Sequence, residues 1–459
     1  MDYDIIIIGG GPGGYVAGIR AAQLGARVAV IEQDRLGGTC LNRGCIPTKA
    51  LLAGVALKRD LARAAEFGFS TGELKFDYAV LAARKDAVVK RLVQGIQFLL
   101  KKNKVELISG RGSLAGPGRV AIELPGGKKE ELEAKAIILA TGSEPALLES
   151  LGYNGQTIVT SNEALAWQSV PESLLVIGGG VMGCEFAVLY NSLGARVTIL
   201  EVLPDILPPV DREIARAMHG LLHKQGIEIK TGAVISSLGE ERGAATARLE
   251  SGEELRAERA LISIGRRLNT AGLGLQEAGV ALGTKGEVAI DDYLQTSRPG
   301  VYAVGDLTGK IQLAHVASAQ GIAAVRNILA APGVMDYQTV PNCIFTLPEI
   351  AGVGLTSQEA EARGMKIKTG KFPFLASGKA QAGGQTEGMV KILAEAESGQ
   401  IVGAHILGPH ATDLIAEAVL AIRYRLTAGQ LAETIHAHPT LSEAVAEAAE
   451  AVDGLSIHY

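Results

Sequence analysis

Short aliphatic runs that end at a glycine recur along the chain. Residues 5–8 lead into Gly9, and residues 174–177 lead into Gly178. These runs are strand-length and fall far short of the roughly 20 apolar residues that a membrane helix needs. Aromatic residues make up only 4 % of the chain, so the core must consist of Leu, Val, Ile and Ala. Continuous aliphatic strands of this kind are typical of helix-covered parallel sheets, which predicts an α/β fold.

The first of these segments occurs twice in the chain. Residues 4–32 are matched by residues 174–201, with the glycines, a Leu-Gly-Ala-Arg-Val turn and a final Glu in register at an offset of 169 positions. In each copy a strand-like run precedes the glycines, a helical stretch follows, and an acid ends the next strand. A single motif of this type is weak evidence, but two with full context predict two Rossmann-like domains that bind two dinucleotides.

Each glycine of the motif has its own role. The first makes the tight turn, the second lets the backbone approach a pyrophosphate, and the third lets the helix pack on the strand. In order, the glycines are Gly9, Gly11 and Gly14 in the first copy and Gly178, Gly180 and Gly183 in the second. The turn and the start of the following helix are therefore predicted to hold the phosphates in both copies.

The acids that end the two copies, Glu32 and Glu201, are expected to accept hydrogen bonds from ribose hydroxyls. A carboxylate at this place repels a 2′-phosphate, and no Lys or Arg follows Glu201 until Arg212. The second site is therefore predicted to prefer NAD to NADP. The alternative is that Glu201 only caps a surface loop.

At 459 residues the chain is predicted to form two to four domains. Residues 296–306 are predicted to form a hairpin edge and an aliphatic strand that ends in Asp306, which can hold a polyol hydroxyl. This strand is expected to complete the first nucleotide domain, so the second domain is an insertion. From about residue 336 a β-rich stretch and alanine-rich helices predict a separate α+β domain with a last helix at 441–452. We predict the boundaries 1–147, 148–267, 268–336 and 337–459.

Two cysteines, Cys40 and Cys45, stand just after the first glycine motif. On an ideal helix, Cα atoms five residues apart are separated by roughly 8.6 Å, whereas bridged cysteines rarely exceed about 7 Å. A bridge therefore needs a distorted turn, for which Gly44 and Pro47 are suited, and strained disulfides are the reducible ones. The pair suggests a disulfide that exchanges electrons with a bound nucleotide, with two free thiols packed by chance as the alternative.

The net charge of −5, from 44 Lys and Arg against 49 Asp and Glu, gives no basic field for nucleic acid or for a membrane surface. Four cysteines are too few for a secreted disulfide scaffold, which favours the cytoplasm. The first strand begins so early that we expect no signal peptide. His436 and His438 invite a metal interpretation, but Cys184 and Cys343 lack ligand-pair spacing, so we expect no zinc site.

The cysteine pair, both glycine motifs, the Gly-Asp strand end and the run His-Ala-His-Pro-Thr-Leu-Ser-Glu at residues 436–443 resemble the pyridine nucleotide-disulfide oxidoreductases from end to end. Within that family, the run Gly-Gly-Thr-Cys-Leu-Asn-Arg-Gly-Cys-Ile-Pro-Thr-Lys at residues 37–49 is most similar to members that oxidise protein-bound dihydrolipoyl groups with NAD⁺. Members that reduce glutathione-type disulfides or mercuric ion share the cysteine spacing but typically carry basic residues for NADP. Such a reductase is the alternative, and a flavin-carrying binding subunit without turnover is a second one.

The resemblance implies FAD in the first site, NAD in the second, and a homodimer whose C-terminal dimerisation domain supplies a base to the partner's active site. It also implies lipoyl-bearing partners, either the acyltransferase of a 2-oxo acid dehydrogenase complex or the glycine-cleavage H protein. Cys45 would be the thiolate nearer the flavin, and Cys40 the thiol that exchanges with substrate. His438 would be the base, with Glu443 fixing its tautomer. The alternative for His438 is a capping residue of the last helix.

The resemblance further pairs Lys49 with Glu185 as an ion pair under the flavin ring. Arg43, between the cysteines, departs from the valine of many relatives, and we expect it to face solvent rather than to lower a cysteine pKa. The remaining contacts that the resemblance implies are Thr39, Lys49, Thr141, Gly142, Asp306 and Ala314 for FAD and Gly265 for NAD.

Overall fold

The first glycine motif lies in a seven-stranded sheet of the computed structural model, which describes residues 1–70 and 72–459. Its strands up to residue 139 are β1 (Tyr3–Ile8), β2 (Val28–Glu32), β3 (Glu106–Ser109), β4 (Arg111–Gly116), β5 (Arg119–Glu123) and β6 (Lys129–Leu139). The helices of this part are α1 (Pro12–Gln23), α2 (Gly38–Arg43), α3 (Cys45–Ala62) and α4 (Tyr78–Lys102). Strands β3, β2, β1 and the end of β6 run parallel, and β4 and β5 continue the sheet as an antiparallel meander.

The second copy of the motif forms its own parallel sheet, in the order β11-β10-β9-β15-β8, beside a meander of β12, β13 and β14. The strands of this part are β7 (Ser143–Pro145), β8 (Ile158–Val159), β9 (Ser173–Ile177), β10 (Arg196–Glu201), β11 (Glu228–Thr231), β12 (Ile235–Glu241), β13 (Ala244–Leu249), β14 (Glu254–Ala257), β15 (Arg259–Ile262) and β16 (Arg266–Leu268). Its helices are α5 (Ser161–Ala164), α6 (Val181–Ser192) and α7 (Arg212–Lys224).

The chain then returns to the first sheet. Strand β17 (Val301–Ala303) pairs parallel with β6, and helix α8 (Ala314–Leu329) follows it. The two chain crossings between the domains, β7 and β16, pair with each other antiparallel. The insertion of the second nucleotide domain into the first is therefore confirmed, while the exact boundaries stay a prediction.

The four isoleucines of β1 show why its sequence is continuously apolar. Ile5 and Ile7 pack into a core formed with α1, α4 and α8, whereas Ile6 and Ile8 pack into a second core on the opposite face. That second core is covered by the β4–β5 meander and not by helices, in contrast to the helix-covered sheet that the sequence predicts. An antiparallel meander with one apolar face excludes water as a helix does, so the aliphatic pattern of β1 is the same in both cases.

The C-terminal part forms an antiparallel sheet in the order β18-β19-β22-β21-β20. Its elements are β18 (Asn342–Ile344), β19 (Glu349–Gly354), β20 (Ile367–Pro373), β21 (Met389–Glu395), β22 (Ile401–Gly408), α9 (Ser357–Ala362), α10 (Gly378–Gly383), α11 (Ala411–Arg423), α12 (Ala428–Ala432) and α13 (Glu443–Glu450). The α+β prediction is confirmed. Helix α13 begins two residues later than predicted because the carboxylate of Glu443 accepts from the Thr440 amide at 2.7 Å and holds a turn there.

Within residues 1–70 and 72–459, no helix combines the length and the apolar character that crossing a membrane requires.

Candidate active site

The two glycine motifs have the same backbone geometry. Gly9 and Gly178 have φ angles of 107° and 108°, which favour glycine. A Cβ at Gly9 would lie 2.3 Å from the carbonyl oxygen of Ala140, and one at Gly178 would lie 2.4 Å from that of Ser263. Both chain reversals therefore depend on a residue without a side chain, as the turn role requires.

The third glycines stand where the helix meets the strand. A Cβ at Gly14 would lie 1.8 Å from the carbonyl oxygen of Gly9, and one at Gly183 would lie 2.0 Å from that of Gly178. By contrast, a Cβ at Gly180 would meet no atom within 4 Å. Gly180 is the N-cap of α6, so open space lies over amides that point out of a helix N-terminus, and a pyrophosphate fits there.

The acids that end β2 and β10 make equivalent hydrogen bonds. Glu32 accepts from the amides of Gly10 at 2.7 Å and Asp34 at 2.8 Å. Glu201 accepts from the amides of Gly179 at 2.6 Å and Leu203 at 2.8 Å. Each carboxylate oxygen keeps a further lone pair, so both acids can still accept from a ribose. The same amides hold each acid beside its glycine turn.

Several of the predicted FAD contacts meet at Ser143, a residue that sequence reasoning missed. Its carbonyl accepts from Thr39 Oγ1 at 3.2 Å, and its hydroxyl donates to Asp306. Arg266 donates to the same hydroxyl at 2.6 Å and lies 3.6 Å from Asp306. Because Ser143 and Arg266 lie on the paired crossing strands, the only signal in the sequence was their position just after the Gly142 and Gly265 turns.

The remaining predicted contacts lie at turns and at a helix start. Thr141 Oγ1 donates to the carbonyl of Asn269 at 2.8 Å, which ties the end of the first sheet to the crossing from the second domain. Gly142 and Gly265 have φ angles of 69° and 130°. Ala314 is the first residue of α8, so its amide has no partner within the helix and can face an anion.

The helix that carries the two cysteines is broken between them. Helix α2 ends at Arg43, Gly44 takes φ −150° and ψ −113°, and α3 begins at Cys45. This break is the distorted turn that a bridge between the cysteines requires. The structure contains no bond between Cys40 and Cys45, and the disulfide itself stays a prediction.

The pKa values of the two thiols are shifted in opposite directions. A hydrogen bond from Cys40 and the charge of Lys49 outweigh burial and lower the pKa of Cys45 to about 7. The hydrogen bond to Cys45 and burial raise the pKa of the Cys40 thiol. Cys45 also stands at the N-terminus of α3, where the helix dipole favours an anion. Cys45 is therefore the thiol that becomes a thiolate first.

Lys49 lies one turn after Cys45 and contacts the second domain. Its Nζ lies 2.9 Å and 2.8 Å from the two carboxylate oxygens of Glu185 on α6. Glu185 is 3 % exposed and also accepts from the amide of Phe345 at 2.9 Å. Lys49 Nζ lies 4.3 Å from the centre of the Phe345 ring. The ion pair therefore joins all three parts of the chain beside the cysteines.

Arg43 pairs with Asp34, and the side chains of both residues are about half exposed. The guanidinium therefore faces solvent, as expected, and it is not among the causes that lower the pKa of Cys45.

His438 lies on the surface of the C-terminal part, next to Glu443. Its Nδ1 lies 2.7 Å from Glu443 Oε1, and its side chain is 80 % exposed. Burial raises the pKa of Glu443, but hydrogen bonds from the Thr440 amide and His438 outweigh it and lower the pKa. The Nε2 atom of His436 lies 2.8 Å from Oε1 of Glu417. The structure thus forms the His438–Glu443 pair but does not bring it to the cysteines of the same chain.

Two family models match the chain. One, described as pyridine nucleotide-disulphide oxidoreductase, matches residues 3–321. The other, described as the dimerisation domain of the pyridine nucleotide-disulphide oxidoreductases, matches residues 340–449. The two matches include both glycine motifs, the cysteines and the His438–Glu443 pair.

Curated relatives match over the full length. A Bacillus subtilis protein named dihydrolipoyl dehydrogenase is 42 % identical, with 100 % of this chain and 99 % of that protein aligned. Proteins of the same name from Chlamydia muridarum and Thermus scotoductus are 44 % and 43 % identical and align over 97 % and 99 % of this chain. The alignments cover 96 % and 98 % of those two proteins.

Solved structures share the fold. LpdA from Mycobacterium tuberculosis superposes with a TM-score of 0.92 at 31 % identity, over 97 % of this chain and 98 % of its own. A Cu(II) complex of the HOCl-induced flavoprotein disulfide reductase RclA from Escherichia coli superposes with a TM-score of 0.90 at 26 % identity. That match covers 98 % of this chain and 99 % of RclA.

Proposed function

Because the chain belongs to the pyridine nucleotide-disulphide oxidoreductase family, we propose that it is a dihydrolipoyl dehydrogenase that uses FAD and NAD⁺. The observation that carries the proposal is the cysteine pair on a broken helix, with one thiol made acidic beside Lys49 and the NAD-type acid Glu201 in the second motif. The names of the full-length relatives support the choice of substrate.

The proposed reaction begins with Cys40 and Cys45 joined as a disulfide. A substrate thiolate attacks the sulfur of Cys40, the bond between the cysteines breaks, and Cys45 leaves as a thiolate. The second substrate thiolate then attacks the substrate sulfur of this mixed disulfide and releases the thiolate of Cys40. The substrate is oxidised to the cyclic disulfide and the cysteines are reduced. Of the two protons that the substrate thiols lose, one is taken up by the Cys40 thiolate and the other leaves through the base.

The acidities of the two thiols support these roles. A thiol with a lower pKa leaves faster in thiol–disulfide exchange, which suits Cys45, whose pKa is lowered to about 7. The raised pKa of Cys40 makes it the better acceptor of a proton when it is released. FAD would be held at the first glycine motif, where it would carry the two electrons from this dithiol to NAD⁺.

His438 is proposed as the base that accepts the substrate protons, with Glu443 holding its Nδ1 and stabilising the imidazolium. Its exposure on the C-terminal part supports a role in the site of a second copy, in a homodimer formed through the dimerisation domain. The lipoyl-bearing partner is proposed to be an acyltransferase of a 2-oxo acid dehydrogenase complex or the glycine-cleavage H protein. We place the reaction in the cytoplasm, supported by the low cysteine count.

The test mixes the purified protein with dihydrolipoamide and either NAD⁺ or NADP⁺ and follows the absorbance of the reduced nucleotide. We expect a yellow protein that forms NADH rapidly and little NADPH. A yellow protein that is inactive here but oxidises NADPH with glutathione disulfide or Hg²⁺ would contradict the proposal.

The base is tested in the same assay with His438→Gln. Because general base catalysis contributes about 10²- to 10⁴-fold, turnover should fall in that range while flavin content is kept. His223→Gln, which changes an exposed histidine at the end of α7, is the matched control and should keep full turnover. Unchanged turnover of His438→Gln would remove this residue from the mechanism.

A further inference from the structure

Two lysines of the first nucleotide domain donate hydrogen bonds to backbone carbonyl groups of the second. These two domains are called the flavin domain and the NAD domain below. Lys58, on α3, donates from Nζ to the carbonyl of Ser192 at 2.7 Å. Lys85, on α4, donates from Nζ to the carbonyl of Leu165 at 2.6 Å, and its side chain is only 5 % exposed. Neither lysine belongs to a glycine motif, to the cysteine helix turn or to the ion pair of Lys49.

Both acceptor carbonyls lie at the C-terminal end of a helix. Ser192 is the last residue of α6, and Leu165 is the C-cap of α5. The last carbonyls of a helix have no partner within it and carry its partial negative charge, so an ammonium group satisfies both needs. Each lysine therefore caps the C-terminus of one helix of the neighbouring domain.

Removing a partner of Lys85 would be unfavourable because its ammonium group is buried. A buried ammonium group is unfavourable unless it is paired, and here it binds the Leu165 carbonyl and the exposed carboxylate of Asp86 at 2.9 Å. Tyr190 of α6 donates to the carbonyl of Ala164 at 2.6 Å, which satisfies a second carbonyl at the same helix end. The end of α5 is therefore held from both domains.

The Lys58 contact completes a second line of attachment. Near their starts, α3 and α6 are joined by Lys49 and Glu185 at 2.8 Å, and at their ends by Lys58 and Ser192. The two helices thus run side by side in the same direction. Helix α3 starts at Cys45, and α6 starts at the second nucleotide turn. A helix of 12 residues such as α6 is about 18 Å long, so fixing both ends also fixes its tilt.

We propose that Lys58 and Lys85 are positioning residues that hold the NAD domain at one orientation against the flavin domain, so that bound NAD meets the flavin in a reactive geometry. This inference rests on the proposed function. Misplacement of reacting groups by about 1 Å can cost about 10²-fold in rate, so a small tilt of α6 matters. The thiol exchange at Cys40 and Cys45 is less sensitive to this orientation, because both cysteines and helix α3 belong to the flavin domain and the Lys49–Glu185 pair is left in place.

The experiment compares two half-reactions of the FAD-loaded protein by rapid mixing. In the K58M/K85M double variant, we expect reduction of the flavin by NADH to slow by at least about tenfold. Reduction by dihydrolipoamide should keep its rate within about twofold, because the cysteines lie in the first domain and the double variant keeps the Lys49–Glu185 pair beside them. Lys90→Met, which changes an exposed lysine of α4, is the matched control and should leave both rates unchanged.

A second readout needs no turnover. Hydrogen–deuterium exchange should become faster at the C-terminal turns of α5 and α6 in the double variant and stay unchanged in Lys90→Met. The variant K58R/K85M keeps a cationic donor at position 58. Hydrogen–deuterium exchange in α6 should therefore be slower in it than in K58M/K85M. If the double variant does not fold, K58M alone, at the less buried lysine, gives the same comparison.

Three outcomes would overturn the inference. An unchanged rate of flavin reduction by NADH in the folded variant would show that the lysines do not position NAD. An equal loss in both half-reactions would indicate a general structural role, as would unchanged exchange in α5 and α6. Failure of NADH to reduce the flavin of the unaltered protein would instead overturn the proposed function, and this inference with it.

Discussion

The two glycine motifs are nearly identical in geometry, yet only the first is followed by a pair of cysteines. Their first glycines have φ angles of 107° and 108°, and their acids bind amides at equivalent positions 169 residues apart. The difference begins after the acid. After Glu32 the chain turns at Gly37 and Gly38, both with positive φ, and enters the two helices that carry the cysteines.

After Glu201 the chain instead runs to Asp211, which caps α7 by accepting from the Glu213 amide at 3.1 Å. The same carboxylate binds Lys391 of β21 at 2.8 Å, with both side chains almost fully buried. The C-terminal part therefore anchors the loop behind the second acid. The two regions therefore differ in the segment after the acid, and we predict that this segment, and not the glycine motif, decides the chemistry of each site.

The sharpest test of this comparison replaces one thiol of each nucleotide domain by a hydroxyl. Cys45→Ser should lower dithiol oxidation by about four orders of magnitude or more, because no thiolate remains to leave. Cys184→Ser, at the buried thiol of the second motif, should keep at least about half of the activity. Steady-state NADH formation measures both, and loss of activity in Cys184→Ser alone would reverse the assignment.

The nucleotide roles can be separated with Gly14→Ala and Gly183→Ala. Each added Cβ would fall within 2.0 Å of a carbonyl oxygen, so each helix start must shift. Gly183→Ala should keep bound FAD but raise KM for NAD⁺ by about 100-fold, or about 2.8 kcal/mol. Gly14→Ala should lose FAD, which its visible spectrum reports. Loss of FAD in Gly183→Ala would mean that the two sites are exchanged.

We predict that the choice between NAD⁺ and NADP⁺ in the second copy depends on Glu201. Glu201→Arg removes the acceptor for the ribose hydroxyls and adds a cation for a 2′-phosphate. We expect the ratio of kcat/KM for NADP⁺ to that for NAD⁺ to rise by at least about tenfold, or about 1.4 kcal/mol. The exposed acid Glu250 gives the control, Glu250→Arg, which should not change the ratio. An unchanged ratio in Glu201→Arg would favour a loop-capping role.

The smallest expected effect concerns the pH dependence of Cys45. Only the thiolate reacts, so alkylation of reduced Cys45 by iodoacetamide should be half-maximal near pH 7 and fall as the pH decreases. Lys49→Met removes a favourable charge and should move this midpoint upward by about one pH unit. Cys40→Ala removes the hydrogen bond that lowers the pKa most, so its midpoint should rise further. Mass spectrometry of the Cys45 peptide measures each, and a downward shift would contradict the stated cause.

The sequence by itself determined both nucleotide folds, the insertion and the helix break at Gly44. The nucleotide folds and the helix break depend on patterns within a few tens of residues: aliphatic runs, glycine spacing and the distance limits of a disulfide. The insertion follows from a further aliphatic strand, ending before Asp306, that lies beyond the second copy. The position where β1 ends can be predicted from nearby residues, because the turn after it needs a positive φ that glycine adopts and Gly9 supplies. Even so, the sequence did not reveal that the β4–β5 meander covers one face of the first sheet, because a helix or a meander would bury the same isoleucines.

Only the tertiary structure decided which distant groups meet. Ser143 and Arg266 reach Asp306 because two crossing strands pair, and Lys58 and Lys85 reach helix ends because two domains pack together. No local pattern encodes these contacts, because the acceptors of the lysines are backbone carbonyls that every residue possesses. A carbonyl becomes a binding site only when a helix ends there and a neighbouring domain places a donor opposite to it.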